Sequence, residues 1–217
     1  MKLITNQPSP YGRKVMIALI EKQLPFQLIQ DIPWVKETIV PNYNPLEQLP
    51  ILITDSGESI YESTFILEWL ERKFPSPPLL PRQLDGIIAA RRVQVLAEGV
   101  LEAWGRLTLE QIREHPMQGW MHRQTRKING GLAELERVVG DKEYAVDNML
   151  TVGDIALGAL LGMLDFAQQH RTTTPEDKSW RNDYPKLVRY FDALERRPSF
   201  RESRPLLANV NVSQLLS

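Results

Sequence analysis

The sequence predicts two domains, an α/β domain followed by an all-helical domain, and three observations support this. Residues 1–75 alternate between short apolar runs rich in β-forming residues and segments with helical spacing. Residues 75–81 contain four prolines, which cannot lie inside a helix. After them the apolar residues follow the helical period, with no convincing strand-like alternation. We therefore predict an α/β domain over residues 1–75, a linker over 76–82 and a helical bundle over 83–217.

The chain opens with a strand, a helix and a second strand. Lys2 to Thr5 is a short strand candidate, and Ser9 and Pro10 then start a helix. Serine is a good N-cap, and proline loses no hydrogen bond at the first helical position. The residues from Phe26 to Gln30 are bounded by prolines and favour a second strand. The length of the connection suits a parallel crossover.

A proline-containing loop from Asp31 to Asn44 leads into a predicted β-hairpin, which a helix follows. Pro50 is tolerated as the first residue of a strand, and the turn lies at Asp55 to Gly57. Glu62 and Ser63 then begin a helix that runs to about residue 74. The start of a helix offers unpaired N–H groups and a positive dipole end, which suit a carboxylate. Such a unit can hold a peptide.

The second domain contains four predicted helices. One of them follows Thr151 to Asp154, a capping box in which the hydroxyl and the carboxylate each satisfy an N–H at the helix start. Such a cap is worth about 0.5–2 kcal/mol, and we interpret it as structural. The predicted helices run from Leu84 to about His115, Met117 to Val139, Thr151 to about Gln169, and Tyr184 to Arg197.

Composition narrows the function classes. The net charge of −1 and the absence of a basic block argue against nucleic acid as a partner. No apolar window approaches the roughly 18 residues that a membrane span needs, and the start is too short in apolar length for a signal peptide, so we expect a cytoplasmic protein. The chain has no cysteine, which excludes disulfides and a protein thiol nucleophile. Its three histidines, His115, His122 and His170, lack metal-ligand spacing.

Four motifs stand in order along the chain, and they are Ser9 to Val15, Asn44 to Pro50, Tyr61 to Ser63, and Thr151 to Asp154. Together they resemble the cytosolic glutathione S-transferases, and the Ser-Pro-aromatic sequence is similar to that of serine-type bacterial and plant members. The resemblance covers nearly the whole chain. It implies a thioredoxin-like first domain, a cis bond between Leu49 and Pro50, a homodimer, and glutathione as a co-substrate without a metal.

The resemblance also implies a role for each residue of a glutathione site. Ser9 matches the hydroxyl that donates a hydrogen bond to the glutathione sulfur and favours the thiolate, whereas the local pattern alone indicates a helix cap. Leu49, ahead of Pro50, matches the residue whose main chain pairs with the cysteinyl backbone as an added strand would. Ser63 matches the residue that binds the γ-glutamyl carboxylate, and Glu62 the one near the ammonium. Simple helix capping is the alternative for both.

One further position matches the family and one departs from it. Gln48 occupies the place from which a side chain often reaches the glycyl carboxylate, although it equally suits a surface loop. Glu47 stands where the family usually has glycine. This departure leaves open how the local turn is formed and what charge lies near the glycyl end.

A pocket for the electrophile is expected between the domains, where clefts are common. Tyr11 is next to the sulfur by sequence, and Trp104 shares one helix face with Leu101 and Thr108. Core packing is the alternative for this stripe. We predict Tyr11 and Trp104 as residues of the electrophile pocket.

Two functions from different classes remain. The first is an enzyme, a glutathione transferase of alkyl or aryl groups active in detoxification, or one using glutathione in dehalogenation, isomerisation or peroxide reduction. The second is a non-catalytic glutathione-transferase-like protein that acts through protein contacts. The joint presence of Ser9, Leu49, Pro50, Glu62 and Ser63 favours the enzyme. A glutaredoxin-like mechanism needs a protein thiol in place of Ser9, and the chain has none.

Overall fold

The computed structural model of the protein describes residues 1–170 and 179–207. Its four strands are β1 (Lys2–Thr5), β2 (Gln27–Gln30), β3 (Ile51–Ile53) and β4 (Ser59–Tyr61). The α-helices of the described residues are α1 (Pro10–Glu21), α2 (Ser63–Lys73), α3 (Leu84–Gln111), α4 (Gln118–Val139), α5 (Val152–Gln169), α6 (Trp180–Asp183), α7 (Pro185–Leu194) and α8 (Pro198–Glu202). A short 3-10 helix, Val40–Asn42, precedes β3.

The four strands form one sheet in the order β2-β1-β3-β4, which confirms the predicted crossover and hairpin. β1 pairs in parallel with β2, as a crossover through α1 requires, and antiparallel with β3. The hairpin between β3 and β4 turns at Gly57, whose φ of 86° favours glycine. The apolar core of this part of the chain includes Leu3, Ile4, Val15, Ile17, Leu19, Ile51, Leu52, Ile66 and Leu67.

The first turn of α1 lies so close to β1 that Gly12 has no room for a side chain. A Cβ placed on Gly12 would lie 1.9 Å from Oγ1 and 2.8 Å from Cβ of Thr5. Thr5 is itself buried at the end of β1, so it cannot swing into solvent. This contact fixes the start of α1 over the end of the strand.

We expect Gly12→Ala to lower the free energy of unfolding by about 1–3 kcal/mol, because Thr5 or the helix must move to accept the methyl group. Gly99→Ala in α3 is a matched control, since no atom outside its own helix lies within 4 Å of a Cβ there. A glycine-to-alanine change inside a helix, where the new methyl group meets no neighbouring atom, is expected to add about 0.5–1 kcal/mol. Urea denaturation measures both changes. If Gly12→Ala proved as stable as the parent protein, the contact with Thr5 would not constrain α1.

The helical part is built around α5, which is buried along most of its length. The predicted capping box is present at its start, where the Asp154 carboxylate accepts the N–H and the hydroxyl of Thr151, each at 2.6 Å. The same carboxylate accepts the N–H of Ala145 at 2.8 Å and the hydroxyl of Tyr190 on α7. Asp154 therefore joins α5, the segment before it and α7.

The predicted end of the first long helix is wrong. The helix from Leu84 was expected to reach about His115, but it ends at Gln111. Pro116 disfavours helical backbone in the residue before it, and it has no N–H to continue a helix. The N–H of Met117 instead donates to the Glu110 carboxylate at 2.8 Å.

The last predicted helix is also shorter than expected. It was predicted from Tyr184 to Arg197, whereas the structure has α7 over Pro185–Leu194. The helices α6 and α8 were not predicted. Pro185 and Pro198 each stand at the start of a helix, where proline costs no hydrogen bond, so the prolines divide this segment into separate helices.

The chain divides into two compact units, one of residues 1–78 and 198 onward, and the other of Leu79–Arg197. The division after residue 78 falls inside the predicted linker. The described residues 198–207 were expected in the helical domain, but they pack on the first unit. Residues 171–178 and 208–217 of the predicted helical domain lie outside the described residues.

A buried cation explains why the chain returns to the first unit. The guanidinium of Arg13 on α1 donates to the Phe200 carbonyl at 3.1 Å and to Ser203 Oγ at 3.4 Å, and it lies 5.9 Å from the Phe200 ring centre. Ser199 donates its hydroxyl proton to Glu21, also on α1. A buried arginine requires such acceptors, so α8 is held on α1 by charge-assisted hydrogen bonds.

Candidate functional site

The register of the sheet brings several loops to one edge. β1 ends at this edge, and the loop to α1 follows it. Ile51 of β3 pairs with Ile4 near the end of β1 and with Tyr61 at the end of β4, so β3 begins and β4 ends at the same edge. The edge thus gathers the predicted glutathione-site residues, which are Ser9, Gln48, Leu49, Pro50, Glu62 and Ser63.

Ser9 is the N-cap of α1, with an extended backbone at φ −68° and ψ 116°. Its Oγ accepts the N–H of Gly12 at 3.2 Å, and Pro10 follows at the first helical position. This bond uses a lone pair of the hydroxyl and leaves its proton. Within residues 1–170 and 179–207, the Ser9 hydroxyl donates to no acceptor. Capping is therefore an observed role of Ser9, and it leaves the hydroxyl able to donate to a ligand.

The loop before β3 is closed by a buried asparagine. Asn44 Oδ1 accepts the N–H of Leu46 at 3.0 Å, and its amide donates to the Gln48 carbonyl at 2.8 Å. Glu47 has a φ of 54°, in the left-handed region that favours glycine. The turn therefore forms despite the replacement of the glycine that is usual there, with Asn44 supplying the hydrogen bonds. The peptide bond of Leu49–Pro50 is cis, which confirms the implication of the resemblance.

The two residues before Pro50 offer different groups to a ligand. Neither the main-chain N–H nor the carbonyl of Leu49 has a hydrogen-bond partner among the residues that the structure describes. The side chain of Gln48 is exposed. Leu49 thus offers a peptide-like donor and acceptor just ahead of β3, and such groups can pair with the backbone of a bound peptide.

Glu62 and Ser63 have different roles at the start of α2, where Glu62 is the N-cap and Ser63 is the first helical residue. Glu62 has φ 70° and ψ 122°, a conformation rare for residues other than glycine, and its carboxylate accepts the N–H groups of Thr64 at 2.9 Å and Phe65 at 3.0 Å. Capping is thus an observed role of Glu62. Ser63 donates its hydroxyl proton to Glu62 at 3.2 Å, but its N–H has no acceptor in the described part of the chain. Because Ser63 is only 3% exposed, this N–H marks a position where a ligand oxygen would be stabilised.

A buried lysine, which was not predicted as a site residue, lies next to Ser63. Lys14 of α1 is 1% exposed, and its Nζ lies 3.0 Å from Ser63 Oγ and 3.4 Å from Thr64 Oγ1. A signal was present in the sequence, since Lys14 shares a helix face with the apolar residues Ile17 and Ala18. A charged residue on such a face indicates a buried partner.

Trp104 lines a cavity of about 290 Å³ inside the second unit, together with Thr108, Ile128, Leu164, Trp180 and Tyr184. Leu101, expected on the same face, is buried in the core instead. Tyr11 is half-buried on the first turn of α1 and belongs to the first unit. A pocket shared by Tyr11 and Trp104 stays a prediction.

The walls of this cavity are mainly aromatic, aliphatic and amide groups. Trp180 donates its indole N–H to Asp165 at 2.8 Å, so its ring is held in place. Burial raises the pKa of the Tyr184 phenol, which is therefore neutral at physiological pH. Among the described residues that line the cavity, Asp183 is the single charged side chain. The cavity thus offers no cation to an anionic ligand.

The described residues show neither a metal centre nor a membrane span. No group of three or more His, Asp or Glu side chains in that part of the chain is placed to hold a metal ion. His115, His122 and His170 are all exposed. None of the helices within the described ranges combines the length and the apolar character needed to cross a membrane.

Two family models match the chain. The N-terminal domain of glutathione S-transferase matches residues 8–73, and the C-terminal domain of glutathione S-transferase matches residues 118–193. Together they cover more than half of the sequence. The chain belongs to the glutathione S-transferase family. The fold prediction is confirmed with it, since a mixed four-stranded sheet followed by a helical part is the architecture that solved members of the family share.

Three similar proteins share between 45% and 27% of their residues with this chain. A glutathione S-transferase of Methylobacterium radiotolerans JCM 2831, solved in complex with glutathione sulfonate, is 45% identical, with a TM-score of 0.89 and 97% of each chain covered. The GST-like protein YibF of Escherichia coli strain K12 is 32% identical over 94% of this chain and 98% of its own length. A maleylacetoacetate isomerase of Pseudomonas aeruginosa PAO1 is 27% identical over 94% of this chain and 96% of its own length.

Proposed function

We propose that this protein is a serine-type glutathione transferase, which activates the thiol of glutathione for attack on a small electrophile. The observation that carries the proposal is the sheet edge described above. It combines an N-cap hydroxyl with a proton to donate, the unpaired main chain of Leu49, and the unpaired N–H of the buried residue Ser63. The relative that was solved with glutathione sulfonate supports glutathione as the ligand.

In this proposal each end of glutathione has its own partner. The cysteinyl backbone pairs with the N–H and the carbonyl of Leu49, ahead of Pro50. The γ-glutamyl carboxylate accepts the N–H and the hydroxyl of Ser63, and the γ-glutamyl ammonium lies near the Glu62 carboxylate. Gln48 reaches the glycyl carboxylate. No metal takes part.

The chemistry requires the thiolate of glutathione. Ser9 donates its hydroxyl proton to the sulfur, which stabilises the thiolate and releases the thiol proton to solvent. The thiolate then forms a bond to an electrophilic carbon, and the leaving group departs with its electron pair. Ser9 keeps its own proton throughout and acts as a hydrogen-bond donor.

The cavity beside Trp104 indicates which electrophiles suit the protein. Because its walls are mainly aromatic, aliphatic and amide groups, and Asp183 is the single charged residue among the described ones that line it, we propose an uncharged aromatic electrophile. Tyr11 is proposed to contact the electrophile next to the sulfur. A chloronitrobenzene, which loses chloride to the thiolate, is a suitable probe of this class.

Retention on immobilised glutathione and turnover of the chloronitrobenzene together test the proposed function. A retained protein with turnover supports the enzyme. A retained protein without turnover of any electrophile tried would favour the non-catalytic alternative that acts through protein contacts. A protein that does not bind glutathione, by retention or by calorimetry, would overturn the proposal.

Isomerisation is a second candidate reaction, and the Pseudomonas relative favours it. A thiolate can add to an activated double bond and leave again after the bond has rotated, so the same site serves both reactions. The two are separated by the fate of glutathione. Conjugation consumes it, whereas isomerisation regenerates it in each turnover.

The family resemblance further supports a cytoplasmic homodimer with a role in detoxification. We propose these properties for the chain as well. Sedimentation velocity of the full chain tests the oligomeric state, and a monomer at micromolar concentration would contradict the dimer.

We expect Ser63→Ala to raise the dissociation constant of glutathione by roughly tenfold or more, because the bound carboxylate loses a charge-assisted hydrogen bond. Calorimetry measures the constant. Ser56→Ala is a matched control, because Ser56 is exposed in the hairpin turn. Unchanged affinity in a folded Ser63→Ala protein would remove Ser63 from the site.

A further inference from the structure

Lys14 places a positive charge inside the protein at the start of α2. Its Nζ donates to Ser63 Oγ at 3.0 Å and to Thr64 Oγ1 at 3.4 Å, and the residue is 1% exposed. An ammonium group has donors and no acceptor. Each of these hydroxyl oxygens therefore accepts from Lys14.

This arrangement determines what Ser63 offers to a ligand. A hydroxyl has one proton, and with its oxygen accepting from Lys14 that proton must go to a different acceptor. In the structure the acceptor is Glu62 Oε1, 3.2 Å away. The N–H of Ser63 has no acceptor in residues 1–170 and 179–207. A ligand carboxylate would take this hydroxyl proton in place of Glu62, and Ser63 would then present two donors, which the cation behind it strengthens toward an anion.

We propose that Lys14 is a positioning residue that selects the γ-glutamyl carboxylate of the ligand by acting through the Ser63 hydroxyl. This inference rests on the proposed function, which supplies glutathione.

The position of Lys14 along α1 has a second consequence. Ser9 is the N-cap of α1 and Lys14 lies within this helix, so one rigid element presents the hydroxyl to the sulfur and also holds the donor of the carboxylate.

The proposal is tested by measuring the dissociation constants of two ligands for each of two proteins. The ligands are glutathione and γ-aminobutyryl-cysteinyl-glycine, which is glutathione without the γ-glutamyl carboxylate. The proteins are the parent chain and Lys14→Met, whose side chain keeps much of the length and loses the charge. We expect Lys14→Met to raise the dissociation constant of glutathione by roughly ten- to a hundredfold and that of the analogue by less than about twofold.

Lys22→Met is the matched control. Lys22 is also buried and follows the end of α1, where its Nζ donates to the Phe74 and Pro77 carbonyls at 2.7 and 2.9 Å and pairs with Glu71 at 2.7 Å. Its replacement is expected to lower the melting temperature and to leave the ratio of the two dissociation constants unchanged. Lys14→Arg, which keeps the charge, is expected to restore part of the preference for glutathione.

The outcomes separate this inference from the function on which it rests. If the parent chain binds neither ligand, the proposed function fails. If the parent chain binds glutathione and Lys14→Met weakens both ligands by the same factor, Lys14 is only a structural link between α1 and α2, and the inference is overturned. A loss confined to glutathione supports it.

Discussion

Ser9→Gly is expected to raise the pKa of bound glutathione by at least about one unit while the fold stays intact. A hydrogen bond to a charged acceptor is worth roughly 1.5–3 kcal/mol, and about 1.4 kcal/mol corresponds to one pKa unit. Glycine keeps most of the N-cap preference, so the lost bond from Gly12 to Ser9 Oγ should cost only a few tenths of a kcal/mol. Because the thiolate is the nucleophile, turnover near neutral pH is expected to fall with the thiolate fraction.

Thiolate absorbance of the bound glutathione, followed against pH, measures this pKa directly. Ser9→Thr keeps a hydroxyl and serves as the matched variant, although its methyl group crowds the sulfur. If the pKa of the bound glutathione thiol were unchanged in Ser9→Gly, Ser9 would not be the hydrogen-bond donor to the sulfur. A rate that survives the change would assign the donor to another group, and Tyr11 is the nearest candidate in sequence.

Asp154→Ala is expected to lower the free energy of unfolding by about 3–5 kcal/mol, more than a cap alone contributes. The carboxylate is fully buried and accepts four hydrogen bonds, from the N–H and hydroxyl of Thr151, the N–H of Ala145 and the hydroxyl of Tyr190. Burial raises the pKa of the Tyr190 phenol well above its ordinary value, so the phenol keeps its proton and donates it to Asp154. Alanine would leave these donors buried without an acceptor.

Thermal and urea denaturation measure this loss, and calorimetry on the surviving folded protein is expected to give nearly unchanged glutathione affinity. Asp141→Ala is a suitable control, because Asp141 is exposed and pairs with Arg189 at 3.0 Å on the surface, where such pairs contribute at most about 1 kcal/mol. A selective loss of glutathione binding at unchanged melting temperature would show that Asp154 belongs to the ligand site.

The sequence predicted those features that depend on neighbouring residues. The strands, the crossover and the capping box follow from local patterns, and the box was recognised from Thr151 and Asp154 alone. Local patterns did not predict the contact of Tyr190 with Asp154, because the two residues are 36 positions apart in the chain. Pro10 was recognised as a helix start, but the same role of Pro198 was not, so the short helix that begins there was not predicted.

The candidate site shows the same limit. Ser9, Leu49, Glu62 and Ser63 were chosen by resemblance to a family, and the sheet register explains why they meet at one edge. Lys14 lies within the motif from Ser9 to Val15, but no pattern assigns it a role, since its partner Ser63 lies 49 positions away and no periodicity connects them. Contacts between distant segments are set by the packing of α1 on α2, which a pattern along one helix does not describe.

The return of residues 198–203 to α1 sets an order of events during synthesis on the ribosome. The chain emerges from its N terminus, so Leu79–Arg197 can be complete while the unit that carries Ser9 still lacks its last helix. The hydrogen bond from Arg13 to the Phe200 carbonyl cannot form until Phe200 has been synthesised, 187 residues after Arg13. At typical elongation rates this interval is roughly 10–40 s. The unit that is translated first is therefore finished last, and in nascent chains stopped before residue 198 Arg13 would lack the acceptors that Phe200 and Ser203 supply.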